Sequence, residues 1–170
     1  MQRETGILTE ELVKEKLVEY GITYEKPIPD VGIDFIVWKQ KDITACIQVK
    51  GRGEIQTNKK YRWFQIRTKD QREKAIEVGL DVSEAWRIKV DYCDFFILVS
   101  LKYDEHWVFP KEKIIEIIEI NSAIHGKRKD NITGSQAEIS LDIQSDGIYL
   151  FEKYKAYLNN YSQIVDFLNK

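Results

Sequence analysis

The chain has 170 residues, 43% of them apolar and 32% charged. That is enough for one domain with a proper core, short for two, and too apolar for wholesale disorder. The formal charge of −2 excludes a uniformly basic nucleic-acid coat, and no apolar run approaches the length of a membrane span. The N-terminus leads into an amphipathic segment rather than a signal peptide's apolar stretch, so a cytoplasmic location is the default expectation. Cys46 and Cys93 lack ligand-like spacing and read as reduced, buried thiols.

In chain order, Thr9 followed by Glu10-Glu11-Leu12 predicts a helix start, with Thr9 as N-cap and acids in the first turn. Leu8, Leu12, Val13, Leu17 and Tyr20 cluster on one face of that helix, and Gly21 is placed to stop it. Residues 22–25 are extended, and Pro27 and Pro29 keep the path extended. Two apolar runs, 33–38 and 43–49, flank the polar turn 39–42 and predict a β-hairpin. A polar loop covers 51–58, and the alternation over 61–66 predicts a third strand. Residues 69–79 read as a helix with Ala75 and Ile76 inward. Residues 80–90 show no clear period. Residues 94–101 form a continuous apolar run that predicts a central strand buried on both faces. A turn at 103–105 and a neighbouring strand at 106–110 follow. The stretch 111–124 reads as an amphipathic helix with Ile114, Ile117, Ile118 and Ala123 or Ile124 inward. Residues 139–143 alternate as a strand, and 158–168 read as a last helix. His106 and His125 read as bystanders, the first exposed near a turn and the second at a helix end.

The hairpin carries the chemistry. Side chains alternate along a strand, so Gln48 and Lys50 share one face and Val49 the other. In an antiparallel hairpin the start of the first strand lies beside the end of the second, which brings Asp34 close to both. One acid, one amide oxygen and one ammonium converging at a sheet edge suit a divalent metal and a phosphate. Asp34 begins the apolar run and has the better position, whereas Asp30 precedes the strand and reads as a turn former. Gly32 permits a close backbone approach just before it. From Lys50 to Lys74 nine Lys/Arg stand against three acids, so the rest of the chain is net acidic. Such a patch beside a carboxylate site suits a phosphodiester substrate, and a merely solvated face is the plain alternative. Arg52, Lys59, Lys60, Arg62 and Lys69 are its candidate contacts, with Trp63 as a base or sugar platform. The short basic loop Lys127, Arg128 and Lys129 is a second possible backbone contact.

Gly32-Ile33-Asp34 followed by Gln48-Val49-Lys50 resembles the signature of the PD-(D/E)xK nuclease superfamily, which includes type II restriction enzymes, Holliday-junction resolvases and homing endonucleases. Gly6, Glu10 and Gly21 match the spacing of a glycine, a helix-borne glutamate and a second glycine in resolvase-like members. The motif resemblance covers about residues 6–52, and the order of elements extends it to about 110. It implies an α/β restriction-endonuclease-like core, a mixed sheet flanked by helices in αβββαβ order, within a single domain 1–170 whose C-terminal part, 111–170, is added to the core. It implies Mg²⁺, with Mn²⁺ able to substitute, held by Asp34, Glu10, the Gln48 amide and the Val49 carbonyl, with Glu11 the main rival of Glu10. Lys50 would orient or help deprotonate the attacking water. Gln48 departs from the commoner acid at its place, which implies weaker metal binding.

The expected function is a metal-dependent endodeoxyribonuclease acting on DNA, of restriction, homing or junction-resolving type. A homodimer or higher homo-oligomer is expected, because cutting both strands asks for two sites. A catalytically weak or inactive nucleic-acid-binding module is the alternative, and a structural α/β domain with a coincidental motif is a third reading. RNA is not excluded as substrate.

Overall fold

The computed structural model describes residues 2–27, 32–40, 42–56, 58–126 and 136–170. Asp30 and the basic loop at 127–129 lie outside these residues.

Helix α1 (Gln2–Glu19) begins well before Thr9. Thr9 is buried in the helix interior and its hydroxyl donates to the Gly6 carbonyl at 3.1 Å, so it does not cap. The buried stripe runs through Val13 and Leu17, whereas Leu8, expected inward, is 49% exposed. Gly21 ends the helix at φ +69°, with Ile22 N–H bonded to the Leu17 carbonyl and Gly21 N–H to the Val18 carbonyl. That left-handed position favours glycine, and the paired bonds satisfy two carbonyls the helix end would otherwise leave open.

Strands β1 (Thr23–Glu25), β2 (Phe35–Trp38), β3 (Thr44–Arg52), β5 (Phe95–Ser100) and β6 (Glu105–Pro110) form a five-stranded sheet in the order β1-β2-β3-β5-β6. Neighbours are antiparallel except β3 and β5, which run parallel. The sheet is mixed and flanked by helices, and the motif strand β3 is its central strand. A parallel pair needs a long crossover. Here the crossover carries β4 (Trp63–Arg67), α2 (Arg72–Glu77) and α3 (Trp86–Val90). The strand expected at 61–66 therefore forms, but it pairs with β7 (Gln136–Ser140) in a separate two-stranded sheet. All six residues of β5 are buried, as the apolar run predicts.

One face of the main sheet presents Val37, Ala45, Ile47, Val49, Ile97 and Val108 to Val13 and Leu17 of α1 and to Ile164 and Leu168 of the last helix. The opposite face presents Phe96, Leu98, Trp107 and Phe109 to the small sheet, α3 and α4 (Lys111–His125). In α4 the residue that follows Ile118 on the buried face is Asn121, not Ala123 or Ile124. Its amide bonds both the N–H and the carbonyl of Ser140 and so ties the helix to β7. In α2 only Ala75 is buried and Ile76 is 64% exposed, because the helix is six residues long and docks by one side chain. His106, expected to be exposed, is buried, with Nδ1 2.7 Å from the Tyr161 hydroxyl.

After β7 come a short hairpin of β8 (Gln144–Ser145) and β9 (Ile148–Tyr149), then α5 (Leu150–Lys153) and α6 (Ser162–Leu168). The last helix starts later than the expected 158, because Asn159 sits at φ +53° and interrupts the helical path.

Candidate active site

The hairpin register pairs Phe35 with Ile47, which places Asp34 at the level of Gln48, one residue beyond the end of β2. Asp34 is fixed twice. Its N–H donates to the Ile47 carbonyl at 2.9 Å, and its carboxylate accepts the Val49 N–H at 2.7 Å. On a strand, the N–H and C=O of one residue point toward the same neighbour. The Val49 carbonyl therefore points past the end of β2, onto the edge where the Asp34 carboxylate stands.

Gly32, Ile33, Asp34, Gln48, Val49 and Lys50 line a cavity of about 650 Å³, closed on its other side by Asp70, Gln71, Lys89 and Tyr92. Gln48 is 4% exposed, and its Oε1 has no hydrogen-bond partner among the described residues. A buried acceptor left in that state costs about 1–3 kcal/mol. Together with the Asp34 carboxylate and the Val49 carbonyl, it makes an all-oxygen donor set of the kind a hard divalent cation takes. The residues present thus fit Mg²⁺. Gly32 stands at φ +85°, a left-handed conformation that favours glycine, with Lys89 Cε 3.6 Å from where a β-carbon would be.

Glu10 is not among the residues that line this cavity. Helix α1 packs on the face of the sheet that carries Val49, opposite Gln48 and Lys50, and the Glu10 carboxylate is ion-paired to Lys26. Its neighbour Glu11 pairs with Lys14 along the helix. Among the described residues no group of three or more His, Cys, Asp and Glu is gathered to hold a metal.

The basic candidates divide. Arg62 is committed to the fold: it pairs bidentately with Glu105 at 2.7 and 2.8 Å, meets Asp142 at 3.1 Å, and lies against the rings of Tyr103 and Phe151. The bonds to Glu105 and Asp142 hold its guanidinium pKa above the usual range, against the opposing effect of burial. Arg52 donates to the Lys60 carbonyl at 2.9 Å and stacks 4.8 Å from the centre of the Trp63 ring, which pins the loop after β3. Burial lowers its pKa. Lys59, Lys60 and Lys69 are exposed, with Lys69 adjoining the cavity residues Asp70 and Gln71.

Sequence reasoning missed Lys89 and Tyr92. Both stand on or just beyond α3, a five-residue helix after a 3₁₀ turn at Val82–Glu84, too short for a period to show. Cys93, buried as expected, donates to the Gly32 carbonyl at 3.5 Å, while Cys46 is only partly buried. Burial keeps the Cys93 thiol well above its ordinary pKa, so it stays protonated behind the site.

The fold is similar to that of a bacterial homing endonuclease, I-Ssp6803I. The TM-score is 0.56 at 14% sequence identity, over 98% of this chain and 92% of that one. No protein-family model matches the sequence, and no curated protein matches it. The similarity shows a shared α/β fold. No helix among the described residues is long and apolar enough to cross a membrane.

Proposed function

We propose that the protein is a metal-dependent endodeoxyribonuclease that hydrolyses phosphodiester bonds in DNA, with Asp34, Gln48 and Lys50 at its centre. The observation that carries this reading is the unpartnered Gln48 oxygen, buried between the Asp34 carboxylate edge and Lys50 in a cavity of a nuclease-like fold. The Asp34 carboxylate, the Gln48 amide oxygen and the Val49 carbonyl would hold Mg²⁺ or Mn²⁺. Bound there, the ion would supply Lewis acidity toward the phosphate oxygens.

The chain's own residues do the rest. The Val49 N–H bond holds one Asp34 oxygen and so fixes the direction of the other. Lys50, on the same face as Gln48, places an ammonium where charge develops on the phosphate, and it orients the attacking water. The exposed Lys59, Lys60 and Lys69 give the DNA backbone a salt-sensitive approach to the cavity. Glu10, paired with Lys26 on the other layer, is left out of the ligand set. Duplex cleavage would use two copies of the site, and hence a homodimer or larger assembly.

The test is cleavage of supercoiled plasmid and of a four-way junction with Mg²⁺ or Mn²⁺, wild type beside Asp34→Ala and Lys50→Ala. Metal-dependent cutting lost in both variants is the expected result. Cutting that survives both substitutions would remove the site from consideration. A second reading, a nuclease-like module that binds DNA without cutting it, is favoured by the lack of a three-acid cluster among the described residues. DNA binding with no cleavage under any divalent ion would select it.

A further inference from the structure

The cavity lining holds a second lysine that the hairpin motif does not include. Lys89 comes from α3, and its side chain is 17% exposed. Its ammonium donates to the Arg67 carbonyl, the last of β4, at 2.7 Å and stands 3.7 Å from the Asp70 carboxylate. An ammonium has three donors; the Arg67 carbonyl takes one, and Asp70 stands outside hydrogen-bond distance. The stem passes over Gly32, where a β-carbon would meet Lys89 Cε at 3.6 Å. The stem thus runs beside the backbone at Gly32, and the hydrogen bond to β4 holds its head at the cavity.

The charges of the cavity lining sharpen the point. Asp34 and Asp70 are balanced by Lys50 and Lys89, with Gln48 and Gln71 neutral. Lys50 enters the lining from β3 and Lys89 from α3. A phosphodiester strand in the cavity would meet an ammonium from each of the two elements. Lysine suits that role as a compact charge on a long stem, and its bond to the Arg67 carbonyl lowers the entropy lost on contact.

Resting on the nuclease reading above, we infer that Lys89 is a second phosphate-contacting residue of the site, held in place by the Arg67 carbonyl and Asp70. It touches a non-bridging oxygen of the DNA strand in the cavity and is not merely a tie between α3 and β4.

The experiment is DNA binding across a salt series in Ca²⁺, with single-turnover cleavage in Mg²⁺, for wild type, Lys89→Met, Lys89→Gln and Lys89→Arg, each checked by thermal unfolding. A lost phosphate contact lowers the slope of log K against log[salt] by about 0.9. The expected result is that reduction in both the Met and Gln variants, a cleavage rate down by about 100-fold, and recovery of both readouts in Lys89→Arg. An unchanged salt slope in folded Met and Gln variants overturns the inference, even if their cleavage is slow. Failure of both variants to fold assigns Lys89 to the architecture and overturns it as well. If the wild type neither binds nor cuts DNA, the nuclease reading falls and takes this inference with it. If the wild type binds but does not cut, the slopes alone decide for Lys89.

Discussion

The carboxylate of Asp34 accepts the backbone N–H of Val49 at 2.7 Å, so one side chain both completes the hairpin ladder and lines the candidate site. The two roles separate by substitution. Asp34→Asn keeps an acceptor for Val49 and removes the charge. Asp34→Ala removes both and leaves a donor beside a largely buried residue. Metal-dependent cleavage is expected to fall by at least about 100-fold in each. Stability is expected to change by under about 0.5 kcal/mol in Asp34→Asn and to fall by about 1–3 kcal/mol in Asp34→Ala. Urea unfolding beside a plasmid assay checks both, and equal stabilities for the two variants would remove the structural role.

Gln48 presents the opposite balance, since the folded chain gains nothing from its buried amide oxygen. Gln48→Leu is expected to abolish cleavage while leaving stability unchanged or raising it by up to about 1–3 kcal/mol, the cost of the unmet acceptor. Gln48→Glu is expected to tighten divalent binding, because it adds a charge to a site built on one carboxylate. Calorimetric titration with Mn²⁺ and a denaturation midpoint are the measurements. A Leu variant that is strongly destabilised would mean that the amide is satisfied in solution by something other than a metal.

The hairpin was legible in the sequence because period-two alternation and a polar turn are local signals, and register then forces Asp34 beside Gln48 and Lys50. The run at 94–101 was legible for the same reason: six consecutive buried positions need no partner to be recognised. The site's far wall was not. Lys89 and Tyr92 reach the cavity through a crossover of short helices whose period never completes. Arg62 shows the converse limit. Sequence places it in a basic block, but its charge is consumed by Glu105 and Asp142, which lie 43 and 80 positions away. Thr9 misled because an N-cap residue and a buried mid-helix threonine carry the same hydroxyl. The helix start at Gln2, the bond back to the Gly6 carbonyl and the packing of Gly51 against Thr9 tell them apart.

That packing gives a stability prediction. A β-carbon on Gly51 would stand 2.5 Å from Thr9 Cγ2 and 2.6 Å from Thr9 Oγ1. The absence of a side chain at Gly51 is what lets α1 seat on the strand next to Lys50. Gly51→Ala is expected to destabilise by about 1–3 kcal/mol through overpacking. Most of the loss should return in Gly51→Ala with Thr9→Ala, because the two clashing atoms are then gone. A double-mutant cycle by chemical denaturation measures the coupling, and additive effects would place the strain elsewhere.

Arg62 is expected to matter for the fold and not for DNA. Replacing it with Met leaves Glu105, whose side chain is only 14% exposed, without its bidentate partner. A loss of about 3 kcal/mol is expected, as for breaking a largely buried ion pair by removing one member. The salt slope of DNA binding should stay at the wild-type value, in contrast to Lys59→Ala, Lys60→Ala and Lys69→Ala. A lowered slope in a folded Arg62 variant would return this residue to the DNA-contacting set.

The C-terminal segment is docked on β6 through His106, whose Nδ1 meets the Tyr161 hydroxyl and whose N–H donates to the Asn159 side chain. Burial pushes the His106 pKa down; Asp104 opposes that and Lys16 adds to it. In the unfolded chain the imidazole returns to its ordinary pKa of about 6.5. As pH falls through that value the unfolded state takes up a proton before the folded state does, so the stability present above it is progressively lost. The loss levels off only below the depressed folded pKa. His106→Gln removes the titrating group while keeping a side chain that can hydrogen-bond to Tyr161. Between about pH 7 and 5.5, the wild type is expected to lose stability more steeply than this variant. Unfolding midpoints across that window measure the difference. Parallel curves for the two proteins would show that the His106 proton is not what the folded state excludes.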